Sequence, residues 1–559
     1  MNGQLVADVP DINTVQLLEV IRDLKREVVS LRQEVADLRR ENLILRNEAG
    51  YWKAMHAAAV GRIAKLETEA EQLRGENRQL QARLFGGKSE RSTSRDRSNH
   101  IPGEETDDDP GVPGRSPQPR GQQKGKPGPQ RRDYCHLPVV EERTELAADG
   151  RCCPHCGLPC TPSDTEDSEQ LEVDVRPFRR RIRRQRYRRT CHCPGSRTLI
   201  APCPPKLIPK GRLGTSIWVE ILLGKYFSHQ PIERQLAAWR LRGLDLAAGT
   251  VNGGLQHLEP LFQPLYDALL AHSAKAGFAQ ADETRWLVFT EHEGKVGHRW
   301  WLWVFLTEDS VVFRLDPSRS HDVPEGHFAA DACAILMVDR YSAYKAMAQV
   351  KLGNIILVFC WAHVRRDFIE VAKGWSELKP WALIWLRRIR GLYRNQRQRL
   401  AYDAGSTEFQ TADATLRQAV VDIQTHAATE LSDPKLREPC RKTLTSLQEH
   451  WSGLTRFVDD LRIPLDNNES ERANRGPAVG RKNYYGSGSL WAGRLTAMLF
   501  SLFATVTRCR MNPRLWLTWY LESCATAGGK APDNITPFLP WNLTPERRAF
   551  LALDRQDTS

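Results

Sequence analysis

The stretch FAQADETRWLVF, residues 278–289, decides how this chain is read. Its apolar and aromatic content predicts a strand that carries a carboxylate, Asp282, into its middle. Downstream, HRWWLWVFL (298–306) and SVVFRLD (310–316) alternate or run apolar, as the next two strands of a meander would. A short helical segment is expected in EGHFAADA (325–332), then a strand in AILMVDR (334–340). A helix in YSAYKAMAQV (341–350) leads to a last strand in NIILVFCW (354–361). The tryptophans of RWWLWVF read as core, and Tyr341 and Tyr344 as helix packing.

That β-β-β-α-β-α-β order predicts a ribonuclease H-like α/β core, in which the first and fourth strands are neighbours. Asp282 and Asp339, the latter closing the fourth strand, would then converge. A third acid arrives after a mostly helical insertion at about 366–460. It is Glu471 in PLDNNESERANR (464–475), where Asp466, Asn467 and Asn468 are good N-cap residues. Glu469 is its rival as a first-turn acid. Glu283 alternates to the opposite strand face and is a poor ligand. Three carboxylates on strand, strand and helix suit two divalent ions, magnesium or manganese, beside a phosphodiester. The expected chemistry is polynucleotidyl transfer with catalytic Asp282, Asp339 and Glu471 and no protein nucleophile. His363 in CWAHVRRDF is either active-site support or a packed structural histidine. Arg365, Arg366, Arg472, Arg475, Arg481 and Lys482 are candidate phosphate contacts, with surface salt bridges as the alternative. Glu471 and Arg475 should share one helix face.

At 559 residues and a formal net charge of +12, the chain is expected to hold several units and to favour a polyanionic partner. Residues 14–86 hold one heptad register, from Leu17, Ile21, Leu24 and Val28 through to Leu80 and Leu84. Asn42 and Asn77 fall at a positions, so a parallel oligomeric coiled coil is expected. Gly50, Gly61 and Gly75 weaken it and predict a break into two pieces. Residues 87–133 are rich in Gly, Pro, Ser and charge and read as a disordered linker.

Residues 134–205 read as a small zinc-binding unit with an Arg-rich strand. Cys153, Cys156, Cys191 and Cys193 are the favoured zinc ligands, with Cys152, Cys160, His155, His192 and Cys203 as alternatives. Between the two cysteine pairs lies VDVRPFRRRIRRQRYRR (173–189), expected as a β-ribbon. Its Arg179, Arg181, Arg183 and Arg186 are candidate DNA contacts. Residues 206–276 read as helices, with a helix-turn-helix-like pair around Gly243 or, alternatively, plain packing on the core. The core spans 277–505 and a helical tail 506–559, so the fold class expected is multidomain α+β. No run of about 18 apolar residues and no secretion signal is evident, and the scattered cysteines fit a reduced cytoplasm.

Seven motifs in order resemble those of the IS66 family of transposases over almost the whole length. They are LFGGKSER (84–91), CPHCG (153–157), ADETRW (281–286), MVDRYSAY (337–344), FCWAHVRRDF (359–368), PLDNNESERANR (464–475) and VGRKNYYGSGSLWAG (479–493), with ITPFLPWN (535–542) resembling the family's tail. The C-x-C zinc pair and the glycines at 249, 253 and 254 depart from the family pattern. The resemblance implies a DDE triad on Asp282, Asp339 and Glu471, and an insertion-sequence transposase that binds terminal inverted repeats, cleaves strands and transfers them. It further implies a bacterial, nucleoid-associated protein, with small accessory proteins of the same element as partners.

Overall fold

In the computed structural model, residues 14–85, 198–291, 298–329, 332 and 334–553 are described, with scattered residues between 138 and 188. The chain divides into two compact units: residues 1–106 with 369–383, and residues 107–368 with 384–559.

The first unit is dominated by helix α1, Thr14–Phe85, which runs unbroken. The expected break is therefore absent. Gly50 and Gly61 face open space, so each costs only its propensity, about 1 kcal/mol, spread over many turns. Gly75 has a packing role: the Trp375 indole lies where a Cβ would sit. Gln79 Nε2 donates to the Glu370 carbonyl (3.0 Å), fixing the same turn. The heptad side chains Leu24, Leu31, Leu38, Leu66, Leu73 and Leu80 are all more than half exposed.

The first strands among the described residues of the second unit form an exposed antiparallel pair, β1 (Arg186–Arg188) and β2 (Thr198–Ile200). Among the described residues the expected arginine strand is a strand only at Arg186–Arg188; residues 175–184 lie outside any strand, with Arg184 donating to the Ala201 carbonyl (3.3 Å). Like charges crowd that stretch, and among the described residues no strand pairs with it. Helix α2 (Thr215–Leu222) passes into a π-helical turn (Leu223–Phe227). Helices α3 (Ile232–Leu241) and α4 (Ala248–Ser273) follow. The three glycines expected to weaken α4 lie inside it, and Gly254 is required there because the Trp218 ring packs against its backbone.

The core sheet holds β3 (Phe278–Leu287), β4 (Arg299–Leu306), β5 (Val311–Asp316), β6 (Ala334–Val338) and β7 (Ile355–Phe359), in the order β5-β4-β3-β6-β7. The first three are antiparallel neighbours, and β6 and β7 add in parallel beside β3. The sequence order and the meander are thus as expected. The helix expected at 325–332 is displaced to α5, Asp322–Glu325. His327 and Phe328 are instead buried, with the His327 ring stacked on Phe305 (3.7 Å), so packing on the sheet overrides local propensity. The next helical stretch splits at Met347 into α6 (Ser342–Ala346) and α7 (Ala348–Lys351). The insertion contains α8 (Trp361–Gly374), α9 (Lys379–Arg399), α10 (Thr407–Ser432), α11 (Glu438–Glu449) and α12 (Trp451–Thr455). It is followed by α13 (Asn468–Ala473), α14 (Arg475–Tyr484), α15 (Leu490–Arg508), α16 (Pro513–Thr526) and α17 (Pro545–Leu551).

Helix α15 has the length and hydropathy of a membrane span, contrary to the expectation. It is nonetheless a core helix: Leu495, Leu499, Leu502 and Val506 are buried, and Ser501 Oγ accepts from the Phe313 backbone N–H of β5 (2.7 Å).

Candidate active site

Strand register brings the first two acids together. Gln280 of β3 pairs with Met337 of β6 in parallel. Two residues further along each strand stand Asp282 and Asp339, at the same level and on the same face. Asp339 Oδ1 accepts from the Tyr341 N–H (2.9 Å), a turn that holds the carboxylate at the strand end.

The third acid is delivered by a segment stitched along β3. Successive same-face side chains of the strand each find a partner. Gln280 Oε1 accepts from the Ser470 N–H (3.4 Å), and Asp282 Oδ2 accepts from Asn474 Nδ2 (2.8 Å). Thr284 Oγ1 accepts from Arg481 (3.0 Å), and Trp286 Nε1 donates to Ser487 Oγ (3.1 Å). At the far end Gly486 lies against the Leu287 carbonyl, where a Cβ would collide with backbone. The Ser487 N–H then donates to that carbonyl (2.8 Å). The YGSGS sequence is thus an extension clamp on β3. The start of α13 is held from the other side, where the Asn467 N–H donates to Cys360 Sγ (3.4 Å) and the Trp361 N–H to the Leu465 carbonyl (2.9 Å). Asp466, rather than Asn467, caps the turn, its Oδ1 accepting from the Asn468 N–H (3.2 Å).

Glu471 Oε1 lies 3.7 Å from both His363 Nε2 and an Arg366 nitrogen. Both belong to the first turns of α8, directly after β7. Burial, chiefly, and then Arg366 hold the His363 imidazole down at about 4, so it is neutral at pH 7. Its Nδ1 is buried without a partner among the described residues. Burial, chiefly, raises Asp282 to about 6, against the Asn474 hydrogen bond, with Glu471 and Asp339 adding repulsion. That mutual effect places the three carboxylates in one electrostatic neighbourhood. Among the described residues no basic side chain is recorded in an ion pair with Asp282 or Asp339.

Among the described residues no group of three His, Cys, Asp or Glu side chains is arranged to hold a metal ion. The donor chemistry nevertheless fits one. A partly buried set of carboxylate oxygens is what a hard divalent cation neutralises, and Asp282 is raised by burial and by its two acidic neighbours.

The remaining site residues distribute as follows. Glu283 faces the opposite side, as expected, but it is deeply buried and paired with Arg319 (2.5 Å) and Tyr344 Oη (2.8 Å). Burial, chiefly, raises it to about 7. Arg319 also sits 3.9 Å from the Tyr341 ring, linking this cluster to the Asp339 turn. Glu469 turns away to Arg508 (3.1 Å) and Arg472 (4.0 Å). Arg472, Arg475 and Lys482 are exposed. Arg475 does not continue the Glu471 helix, because α13 ends at Ala473 and α14 starts anew. Arg481 donates through one guanidinium nitrogen to Thr284 and the Arg285 carbonyl, which anchors its helix to β3. Arg365 and Arg366 lie on α8. Of the four zinc candidates only Cys156 is described, exposed and with a free thiol; Cys153, Cys191 and Cys193 lie outside the described residues. Arg179, Arg181, Arg183 and Arg186 are exposed. Asn474 escaped the sequence reading, although its place three residues after Glu471, at a helix end, was a usable signal.

A model of the IS66 transposase family matches residues 210–495, just over half of the chain and all three acids. The chain belongs to the IS66 family of transposases. It is similar to protein y4jD of Sinorhizobium fredii, at 28% identity over 429 residues, covering 73% of this chain and 80% of the relative. It is similar also to y4qI of the same organism, at 29% identity over 447 residues, covering 76% and 79%. A third relative there, y4hP, is 26% identical over 367 residues, covering 61% and 64%.

Proposed function

We propose that this protein is the DNA transposase of an insertion sequence, which binds terminal inverted repeats and cleaves and transfers strands by a DDE mechanism. The observation that carries the reading is the convergence of Asp282, Asp339 and Glu471 from β3, β6 and α13 inside the family-matched span. The strand order β5-β4-β3-β6-β7, with an antiparallel meander and two added parallel strands, supports a ribonuclease H-like core.

Asp282, Asp339 and Glu471 would hold magnesium or manganese, which supplies Lewis-acid stabilisation of phosphoryl charge and a more acidic attacking hydroxyl. The rest falls to the chain's own groups. Asn474 orients Asp282 by its amide hydrogen bond. Tyr341 orients Asp339 through its backbone N–H. Arg366 and neutral His363 flank Glu471, where they would position a phosphate or water. The exposed Arg366, Arg472, Arg475 and Lys482, the half-buried Arg365 and the arginine stretch before β1 would track DNA backbone.

Structural zinc on the 134–205 unit, groove reading by α3 and α4, homo-oligomerisation through α1, accessory proteins of the same element and a nucleoid-associated bacterial location complete the proposal. The α1 part rests on a long row of exposed leucines that an identical helix would cover.

The test is metal-dependent joining of a labelled transposon-end duplex to plasmid. Wild type should join, and Asp282→Ala, Asp339→Ala and Glu471→Ala should not. Cleavage without joining would make the protein a nuclease. Joining that survives Glu471→Ala but fails in Glu469→Ala would reassign the third acid.

A further inference from the structure

Helix α9 carries a charge pattern that neither the fold nor the proposed active site uses. Its sequence, KPWALIWLRRIRGLYRNQRQR, contains no acidic residue. Its arginines divide by face. Arg388 and Arg399 point inward and are paired, to Glu430 (3.5 Å) and Asp413 (2.9 Å). Arg387, Arg394 and Arg397 are exposed, and Arg390 lies in the same exposed row. Among the described residues no carboxylate pairs with Arg387, Arg394 or Arg397.

The spacing 387-390-394-397 keeps the row within an arc of about 80° and a length of about 15 Å. Like charges three or four residues apart on a helix repel, each pair costing about 0.2–0.5 kcal/mol. A face kept only for solubility would interleave acids and recover that energy, as Asp413 and Arg417 do at four-residue spacing on α10. The uncompensated Arg387, Arg394 and Arg397 are therefore suited to an external polyanion. Its place indicates which one. Tyr393, adjacent to Arg394, hydrogen-bonds Asp466, two residues before α13. The Arg394 end of the row thus follows directly on a residue that touches the segment leading into the helix of Glu471.

We infer that the exposed arginine row of α9, Arg387, Arg394 and Arg397 with Arg390, is a phosphate-backbone contact for duplex DNA leaving the carboxylate site. The choice of DNA as the polyanion rests on the transposase reading; the existence of the row does not.

Binding is measured in EDTA, so that no chemistry is needed, across a range of KCl concentrations. The full-length wild type is compared with the triple variant Arg387→Gln, Arg394→Gln, Arg397→Gln. Two fluorescent duplexes of equal length are used, one containing the transposon end and one lacking it. The slope of log Kd against log salt should become shallower by about 2.7 in the variant, at about 0.9 per lost phosphate contact. The variant should melt no lower than wild type, because repulsion has been removed. A triple Arg→Lys variant should keep the wild-type slope. A change on the end duplex alone assigns the row to the element's own DNA, and a change on both assigns it to sequence-independent DNA such as target. An unchanged slope in the folded Gln variant overturns the inference, as does loss of the slope in the Lys variant. Failure of the joining reaction with metal, alongside the slope change, would sink the catalytic reading and leave the row standing.

Discussion

Asp282 illustrates how much a single buried carboxylate costs until something neutralises it. Its rise from 3.8 to about 6, caused first by burial, corresponds to about 3 kcal/mol. As pH climbs through that window the unfolded chain releases its proton before the folded chain does, so folding stability falls. Above about 6 the penalty is complete, and below 3.8 it vanishes. Asp282→Asn should therefore melt higher than wild type at pH 7.5 in EDTA, with the gap closing near pH 4, while joining activity is lost. A variant that melts lower at pH 7.5 would contradict the burial argument. Asn474 holds the other half of this contact. Asn474→Ala should reduce metal-dependent joining by on the order of 10- to 100-fold, as loss of a ligand-orienting partner does, with end binding in EDTA unchanged. The sequence offered the three acids as candidates because Asp282 sits within a recognisable strand, Asp339 at a strand end and Glu471 at a helix start. It did not expose Asn474, whose partner is 192 residues away. Nor did it show that Arg481 is held by Thr284, because nothing local records that contact.

At the scale of elements, periodicity was a sound guide wherever an element faces one neighbour. The strands β3 to β7 emerged from their alternating or continuous apolar runs. It failed where packing outweighed propensity. The 325–332 segment looked helical, yet His327 is drawn onto the Phe305 ring and burial depresses its pKa to about 3. The glycines of α4 looked like helix breakers, yet one of them makes room for a tryptophan. Gly254→Ala gains helix propensity but drives a methyl into Trp218, itself 2% exposed. Overpacking should win and lower stability by about 1–3 kcal/mol, read as a fall in melting temperature, whereas Gly253→Ala, facing open space, should be neutral or stabilising. Equal effects at the two positions would show that the Trp218 contact does not constrain the helix.

For the whole molecule, the proposed self-association rests on the exposed heptad row of α1. Leu31 and Leu38 are both more than half exposed in the single chain. The double substitution Leu31→Lys, Leu38→Lys should reduce the oligomer to monomer in sedimentation velocity, while the melting transition of the core is retained. An unchanged sedimentation coefficient would remove α1 as the assembly device.

The sequence by itself determined the five core strands and their order, the leucine row on α1 and the choice of three candidate acids. These depend on residues close together in the chain, whose period or end position records the local backbone. Only the tertiary structure decided which side chains complete the site. The Gln280–Ser470, Asp282–Asn474, Thr284–Arg481 and Trp286–Ser487 contacts register two segments separated by the whole helical insertion. Such a register is set by packing across the sheet face, and no local pattern encodes it. The same packing turned two of the α9 arginines inward to carboxylates and left the others in a row on the surface.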